Sequence, residues 1–386
     1  MLQIATLEEI KKGRVCDVYF DRTRQVLETL NINKHVTAEI VLKKFPDEYQ
    51  WGIWSGVEES LEILAGLNID VWAMPEGTIF GTHQPLMVIE GAYLEFGIYE
   101  TALLGFLCQA SGIATKAARC RIAAGEKQLI SFGARRMHPS IAPMVERNAY
   151  VGGCDGVAVM KSAELLGLQP SGTIPHALIL IMGDTVAAVK AFNEIIDKKV
   201  KRVALVDTFL DEKFEAVNVA HALGPDLFGI RLDTPSNRRG DFLSILKEVR
   251  WELDLRGFHN IKILVSGGID EYKILTLNEV VDAYGVGTAI SSAPVLDFAL
   301  DIVAIEGEPI AKRGKPSGKK LVFRCPVCFQ TIVIPHHSTP TPVCSCGQPY
   351  EAMLKPLIEK GQLATKYPSV HEIRNYVLSQ LAHVKL

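Results

Sequence analysis

The sequence predicts an α/β protein built around a parallel sheet that closes toward a barrel, with a small metal-stapled module near its C-terminus. Three observations carry this. From about residue 128, short β-prone runs alternate with helical ones. Several of those runs are almost wholly apolar, as strands buried on both faces are. Finally, Cys325, Cys328, Cys344 and Cys346 form CPVC and CSCG pairs separated by fifteen residues. That spacing suits tetrahedral zinc, because each pair can close a tight turn that presents two sulfurs. An open doubly wound sheet is the structural rival for the alternating part, and a redox dithiol or unligated thiols for the cysteines.

Taken in order, residues 1–115 mix helices with short strands. Residues 58–67 have the apolar spacing of an amphipathic helix stopped by Gly66. Residues 72–90 hold β-rich pieces broken by Pro75, Gly77, Gly81 and Pro85. Residues 93–118 are a long apolar helical stretch. The strands expected next are 129–132, 155–160, 202–206, 228–232, 263–267 and 282–287, with helices over 185–196 and 241–253 between them. A basic stretch, AKRGKPSGKK at 311–320, reads either as a solvated connection or as a loop meeting substrate phosphates. Residues 369–384 read as a closing helix. His336 and His337 are spare ligand candidates beside the cysteines.

Composition narrows the function classes. A chain of 386 residues is long enough for two or three domains. Its net charge of −3 gives no bulk electrostatic case for nucleic acid or an anionic membrane. No apolar run approaches the ~20 residues of a spanning helix, and the N-terminal residues lack the basic-then-apolar order of a signal peptide. Cys16, Cys108, Cys120 and Cys154 are scattered and read as free thiols, which suits a reducing cytoplasm.

Chemistry-bearing residues cluster just after the expected strands, where barrel active sites gather. Arg135 and Arg136 follow Phe132-Gly133-Ala134; two adjacent arginines in a glycine-containing loop suit phosphate or carboxylate, or a surface ion pair. Asp207 and Thr208, a carboxylate and a hydroxyl, follow the strand expected over 202–206, in the position usual for hydroxyl or metal contact. Arg231 and Asp233 share a strand face by their period of two; they could hold pyrophosphate, ribose or Mg²⁺, or pair with each other. Ser266-Gly267-Gly268 and Gly287-Thr288 are small-residue loops whose backbone N–H groups can approach a phosphate. His176, in SGTIPHAL, sits at a turn fixed by glycine and proline and is either structural or catalytic. Together these residues describe a site for a doubly phosphorylated sugar, with Phe132 available to stack on a flat ring.

FGARR, SGTIPHAL, VDTF, IRLD, SGG and GVGT, in that order, resemble the nicotinate phosphoribosyltransferases, as do DVYF at 17–20 and KPSGKK at 315–320. The cysteine module resembles the archaeal-type branch. The resemblance implies a type II phosphoribosyltransferase fold: an N-terminal α/β sandwich domain (1–115), an incomplete α/β barrel (116–295), and a C-terminal segment (296–386) that returns to the first domain and carries the zinc module (321–351). It implies transfer of phosphoribose from 5-phosphoribosyl 1-pyrophosphate to nicotinate, giving nicotinate mononucleotide in NAD salvage. ATP would be a co-substrate coupled through His176, Mg²⁺ a cofactor and Zn²⁺ structural. Phe132 would stack on the pyridine, and Tyr19 would cover its other face from a neighbouring subunit of a homodimer or higher oligomer. Arg135 would contact substrate phosphate, Arg231 and Asp233 pyrophosphate, ribose and metal, and the glycine loops the 5-phosphate. Asp155 would lie near the ring substituent. Many relatives continue RLD with SGD; here Thr234–Asp241 brings Arg238 and Arg239 instead. Quinolinate transfer with decarboxylation is one rival, and a zinc-ribbon module binding nucleic acid or protein is another.

Overall fold

The computed structural model describes residues 2–46, 48–234, 237, 240–338 and 343–386. Arg238 and Arg239 lie outside the described residues. The chain divides into two compact units: residues up to Thr115 together with Pro294–Lys385, and Lys116–Ala293.

The first unit is built on a seven-stranded sheet. Its strands lie in the order Glu308–Pro309, Phe298–Ile305, His35–Leu42, Met87–Ala92, Ile69–Ala73, Lys355–Glu359 and Gln362–Leu363, each pairing antiparallel with the next. Helices Val18–Thr29, Val57–Leu64 and Val370–Gln380 belong to this unit, and its core gathers Ile40, Leu42, Trp54, Val71, Phe80, Met87 and Phe298. Two adjacent strands, His35–Leu42 and Phe298–Ile305, each carry a buried acid, which breaks the apolar pattern a sequence reading depends on. Glu39 is matched by Lys320 at 2.8 Å, and Asp301 by Lys312 at 2.6 Å and by Lys315. Lys319 reaches Glu90 at 3.0 Å. The basic stretch at 311–320 is thus neither a plain solvated connection nor a row of free cations. It neutralises carboxylates of this sheet.

The second unit holds six parallel strands in the order Gly156–Val157, Gln128–Ser131, Ala283–Val286, Lys262–Val265, Leu227–Leu232 and Arg202–Leu205. Neighbours follow chain order in one rotational sense, and the last strand joins the first. That is a barrel's closure, with a single break between Gly156–Val157 and Arg202–Leu205; the doubly wound alternative is excluded. The segment 171–174 bridges the break without forming a full strand. Ser171 donates its N–H to Val157 O (2.8 Å) and Ile174 donates to Val203 O (3.4 Å). The expected strand over 155–160 is shorter than the sequence suggests, because helix Met160–Leu166 starts immediately after it. Buried carboxylates hold this unit together as well: Glu271, fully buried, takes Arg119 at 2.9 Å and Lys116 at 2.6 Å.

Candidate active site

Parallel strands deliver their following loops to one end of a barrel, and here those loops surround a cleft of about 530 Å³. Phe132, Arg135, Arg136, Arg231, Asp233, Ser266, Gly267, Gly268, Gly287 and Thr288 all line it. Arg135 and Arg136 sit in a 3₁₀ turn directly after Gln128–Ser131. Both are exposed, and among the described residues neither guanidinium has a hydrogen-bond or ion-pair partner. Two unpaired cations over a concave surface make a site for an anion.

Arg231 is the organising cation. It donates through Nε to Ser266 Oγ (3.0 Å), through Nη2 to Asp233 Oδ2 (2.8 Å) and through Nη1 to Thr173 Oγ1. Ser266 in turn donates to Asp233 Oδ1 at 2.9 Å. Arg231 and Asp233 therefore do pair with each other, and as a pair they face the cleft. The Arg231 guanidinium carbon stands 5.7 Å from the Phe132 ring centre. Gly267 (φ +81°) and Gly268 (φ +67°) adopt left-handed backbone, and a Cβ on Gly267 would lie 2.9 Å from Asp233 Oδ1. Only glycine lets the backbone turn there so close to the carboxylate.

His176 opens helix His176–Met182, just beyond the segment that bridges the barrel's break. Its Nδ1 is 3.0 Å from Thr208 Oγ1 and its Nε2 is 3.6 Å from Asp207 Oδ1. Asp207 accepts from the Asp233 N–H (2.7 Å) and from Thr234 Oγ1 (3.1 Å). Burial pushes the Asp207 carboxyl above its usual range; the Asp233 N–H, the His176 charge and the Thr234 hydroxyl pull the other way. One continuous set of polar contacts thus runs from His176 through Asp207 and Asp233 to Arg231.

His176, Asp207 and Thr208 are not among the residues lining the cleft and adjoin it through Asp233, whereas Asp155 and Tyr19 lie elsewhere. Asp155 does not line the cleft. It precedes its strand, where its carboxylate pairs with Arg121 and accepts the Leu129 N–H at 2.9 Å. A partnered acid at the entry end of the sheet ties Arg121 of helix Glu100–Ala124 to the strand Gln128–Ser131, away from the cleft. Tyr19 belongs to the other unit. It is 57% exposed on helix Val18–Thr29, with its hydroxyl 3.4 Å from Asp17 Oδ2, which also accepts from Thr101 Oγ1 at 3.0 Å. Sequence reasoning missed Ser171, Thr173 and Asp270 as lining residues. Ser171 and Thr173 were visible inside SGTIPHAL, but only the bridging backbone brings them to the cleft.

The cysteine module forms a separate centre in the first unit. A three-stranded antiparallel sheet, Lys320–Arg324, Thr331–Pro335 and Glu351–Ala352, carries it. The four Sγ atoms lie within 4.8 Å of one another, with Cys325–Cys346 and Cys328–Cys344 each 3.4 Å apart. A disulfide needs about 2.05 Å, so the thiols are unbonded, and their spacing fits thiolates at ~2.3 Å from one shared Zn²⁺. Phe329 (φ +61°) and Gly347 (φ +84°) close the two turns. His336 and His337 are not in the cluster. Among the described residues, no helix is long and apolar enough to cross a membrane.

Comparison with known proteins agrees with this architecture. Family models described as the N-terminal and C-terminal domains of quinolinate phosphoribosyl transferase match residues 17–111 and 113–301. A protein named nicotinate phosphoribosyltransferase from Mycobacterium tuberculosis is 33% identical over 291 residues, 72% of this chain. The chain spans 62% of that relative's length. A crystal structure of a nicotinate-nucleotide pyrophosphorylase from Pyrococcus furiosus is 52% identical, covers 100% of this chain and 99% of its own, and superposes with a TM-score of 0.98. The human nicotinic acid phosphoribosyltransferase shares the fold, with a TM-score of 0.77 at 21% identity over 96% of this chain and 94% of its own.

Proposed function

This chain belongs to the type II phosphoribosyltransferases, the family of the quinolinate and nicotinate enzymes, and we propose that it joins nicotinate to 5-phosphoribosyl 1-pyrophosphate, releasing pyrophosphate and nicotinate mononucleotide. The observation that carries the reading is the cleft of Lys116–Ala293, where two unpaired arginines, the Arg231–Asp233 pair and two glycine-bearing loops converge. An activated sugar with phosphates at both ends needs that set of cations and close backbone.

In this reading the pyridine ring lies against Phe132 and its carboxylate is met by arginine. The 5-phosphate is cradled by Gly267-Gly268 and Gly287-Thr288. As the bond from ribose C1 to pyrophosphate breaks, positive charge grows on the sugar and negative charge on the leaving group. Arg135 and Arg136 stabilise the latter. The carboxylates of Asp233 and Asp270 border the same cleft and suit the ribose hydroxyls and a Mg²⁺ carried by the pyrophosphate, which would neutralise leaving-group charge. The pyridine nitrogen attacks through a lone pair it already has, so no general base is required. Orientation does the work that a nucleophile triad does elsewhere.

His176 is the residue through which ATP would act. Its imidazole is partly exposed and held from two sides by Thr208 and Asp207. A homodimer is the expected assembly: Val18, Tyr19 and Val26 on helix Val18–Thr29, with Leu30 just after it, expose apolar surface. The four cysteines outside the metal module, Cys16, Cys108, Cys120 and Cys154, are not disulfide-bonded, which suits a reducing cytoplasm.

The test is a substrate panel. Purified protein with the pyrophosphate donor and Mg²⁺ is given nicotinate or quinolinate, each with and without ATP, and the products are separated by chromatography. Nicotinate mononucleotide from nicotinate, enhanced by ATP, is expected. Turnover of quinolinate alone, with release of CO₂, would assign the chain to the decarboxylating branch. Salt-sensitive nucleic-acid binding without any transfer would favour the zinc-ribbon reading.

A further inference from the structure

Three helical glutamates in the second unit are buried where a sequence reading would place solvated charges: Glu146, Glu215 and Glu271, at 0%, 2% and 0% exposure. Glu271 is answered by cations. The other two have an unusual set of partners, the backbone N–H groups of loops at the cleft end of the barrel. Glu146 accepts from Ala158 N and Val159 N, both at 3.0 Å. Glu215, in the first turn of helix Glu212–Leu223, accepts from three consecutive amides: Thr208 N at 3.1 Å, Phe209 N at 3.0 Å and Leu210 N at 3.2 Å. It also accepts the Thr185 hydroxyl at 2.9 Å. Thr185 begins the helix that follows the one carrying His176.

We propose that Glu215 is a positioning residue for His176. The argument is geometric. Both groups that face the imidazole, Thr208 Oγ1 and Asp207 Oδ1, belong to adjacent residues of one loop. A loop with three left-over N–H groups has no internal means of fixing its backbone, since those donors have no strand or helix partner. One carboxylate, with two oxygens and about four acceptor sites, satisfies all three amides and a hydroxyl from the neighbouring helix. It thereby fixes the loop on one side and the His176–Thr185 segment on the other. Its charge strengthens each bond relative to a neutral acceptor, and a site is only as well aimed as the contacts behind it. This rests on the proposed role of His176 in ATP coupling and extends it to a residue without direct access to the cleft.

Glu215→Gln is the discriminating change. The amide keeps the shape, but one carboxylate oxygen becomes an NH₂ donor. With the remaining oxygen serving Phe209, Leu210 and Thr185, a donor then faces the Thr208 N–H. Glu146→Gln makes the same chemical change on the other clamp and serves as the control for general destabilisation. Two readouts are taken on the full-length protein: the ratio of transfer rates with and without ATP within each variant, and the His176 ring resonances by ¹³C-histidine NMR, assigned with His176→Asn. We expect Glu215→Gln to reduce the ATP ratio at least tenfold and to move the His176 resonances, whereas Glu146→Gln leaves both as in the wild type. Should Glu215→Gln fail to fold, Thr185→Val removes one of the four donors and is expected to shift both readouts in the same direction by less. A folded Glu215→Gln, or a folded Thr185→Val standing in for it, with wild-type ATP ratio and unmoved resonances overturns the inference. If His176→Ala itself keeps the full ATP ratio, the coupling role fails instead, and the resonances alone decide whether Glu215 positions the ring.

Discussion

Gly285→Ala separates a stacking surface from a merely apolar wall. Gly285 lies in the Ala283–Val286 strand, directly beneath the Phe132 ring. A Cβ added there would stand 2.3 Å from Phe132 Cδ2 and 2.4 Å from Cε2. Carbon atoms rest at about 3.5–4.0 Å, so the ring must retreat by more than about 1 Å. The Phe132 backbone cannot follow easily, because its N–H donates to Val286 O at 2.8 Å. The ring must therefore swing outward about its own side-chain bonds. One side of Phe132 borders the open cleft, so this motion relieves most of the clash, and the stability cost falls near the lower end of the ~1–3 kcal/mol range for overpacking. Catalysis is hit harder. The ring now occupies the space of the pyridine, and a ~1 Å misplacement of an orienting group costs on the order of 100-fold. The assay is kcat/KM with nicotinate varied at saturating sugar donor, alongside thermal melting. A loss of roughly 100-fold with a small change in Tm is expected. A well-folded variant within about twofold of wild type would refute the assignment of the ring site to Phe132; twofold corresponds to less than about 0.5 kcal/mol.

Other expectations follow from the same geometry. His176→Ala is expected to lose ATP stimulation while retaining slow transfer, measured as product formed with and without ATP; undiminished stimulation would reject the role. Arg135→Ala with Arg136→Ala should raise KM for the sugar donor far more than for nicotinate, and flatten its salt dependence, because exposed unpaired cations act through screened attraction. Cys325→Ser, or prolonged chelation, should release bound zinc and lower Tm with little change in activity per folded molecule; an unaltered, metal-free protein would contradict a structural zinc. Glu100 gives a pH signature. Burial, with Asp301 and Asp17 adding and Lys312 opposing, pushes its carboxyl up to about 7. An acid whose folded pKa is raised binds its proton more tightly when folded. Its contribution is therefore fully present below the unfolded value near ~4.3 and lost as pH rises through 7. Glu100→Gln should flatten the fall in Tm between pH 5 and pH 8, read by melts across that range.

How much of this was legible in the sequence depended on whether a residue's meaning was local. The barrel strands were readable because burial on both faces makes them continuously apolar, and the loops after them carried the cleft residues in order. The first unit's sheet was harder. His35–Leu42 and Phe298–Ile305 each hold a buried acid, Glu39 and Asp301, whose lysine partners all lie within residues 312–320, so an unbroken apolar run marks neither strand. The same pairing gave 311–320 its meaning, which its composition alone left open between solvent and substrate. Asp155 looked available for a ligand until Arg121, 34 positions earlier, was found against it. Glu146 and Glu215 were invisible for a related reason: a charged residue on a helix reads as a solvated face, and only the fold brings orphaned amides to it.

The most direct measurement is a crystal structure of the protein soaked with nicotinate mononucleotide and pyrophosphate. The account predicts the pyridine against Phe132, the 5-phosphate on the Gly267-Gly268 and Gly287-Thr288 backbone, and pyrophosphate beside Arg135 and Arg136. Nucleotide bound in another place, with this cleft left to solvent at saturating ligand, would contradict it.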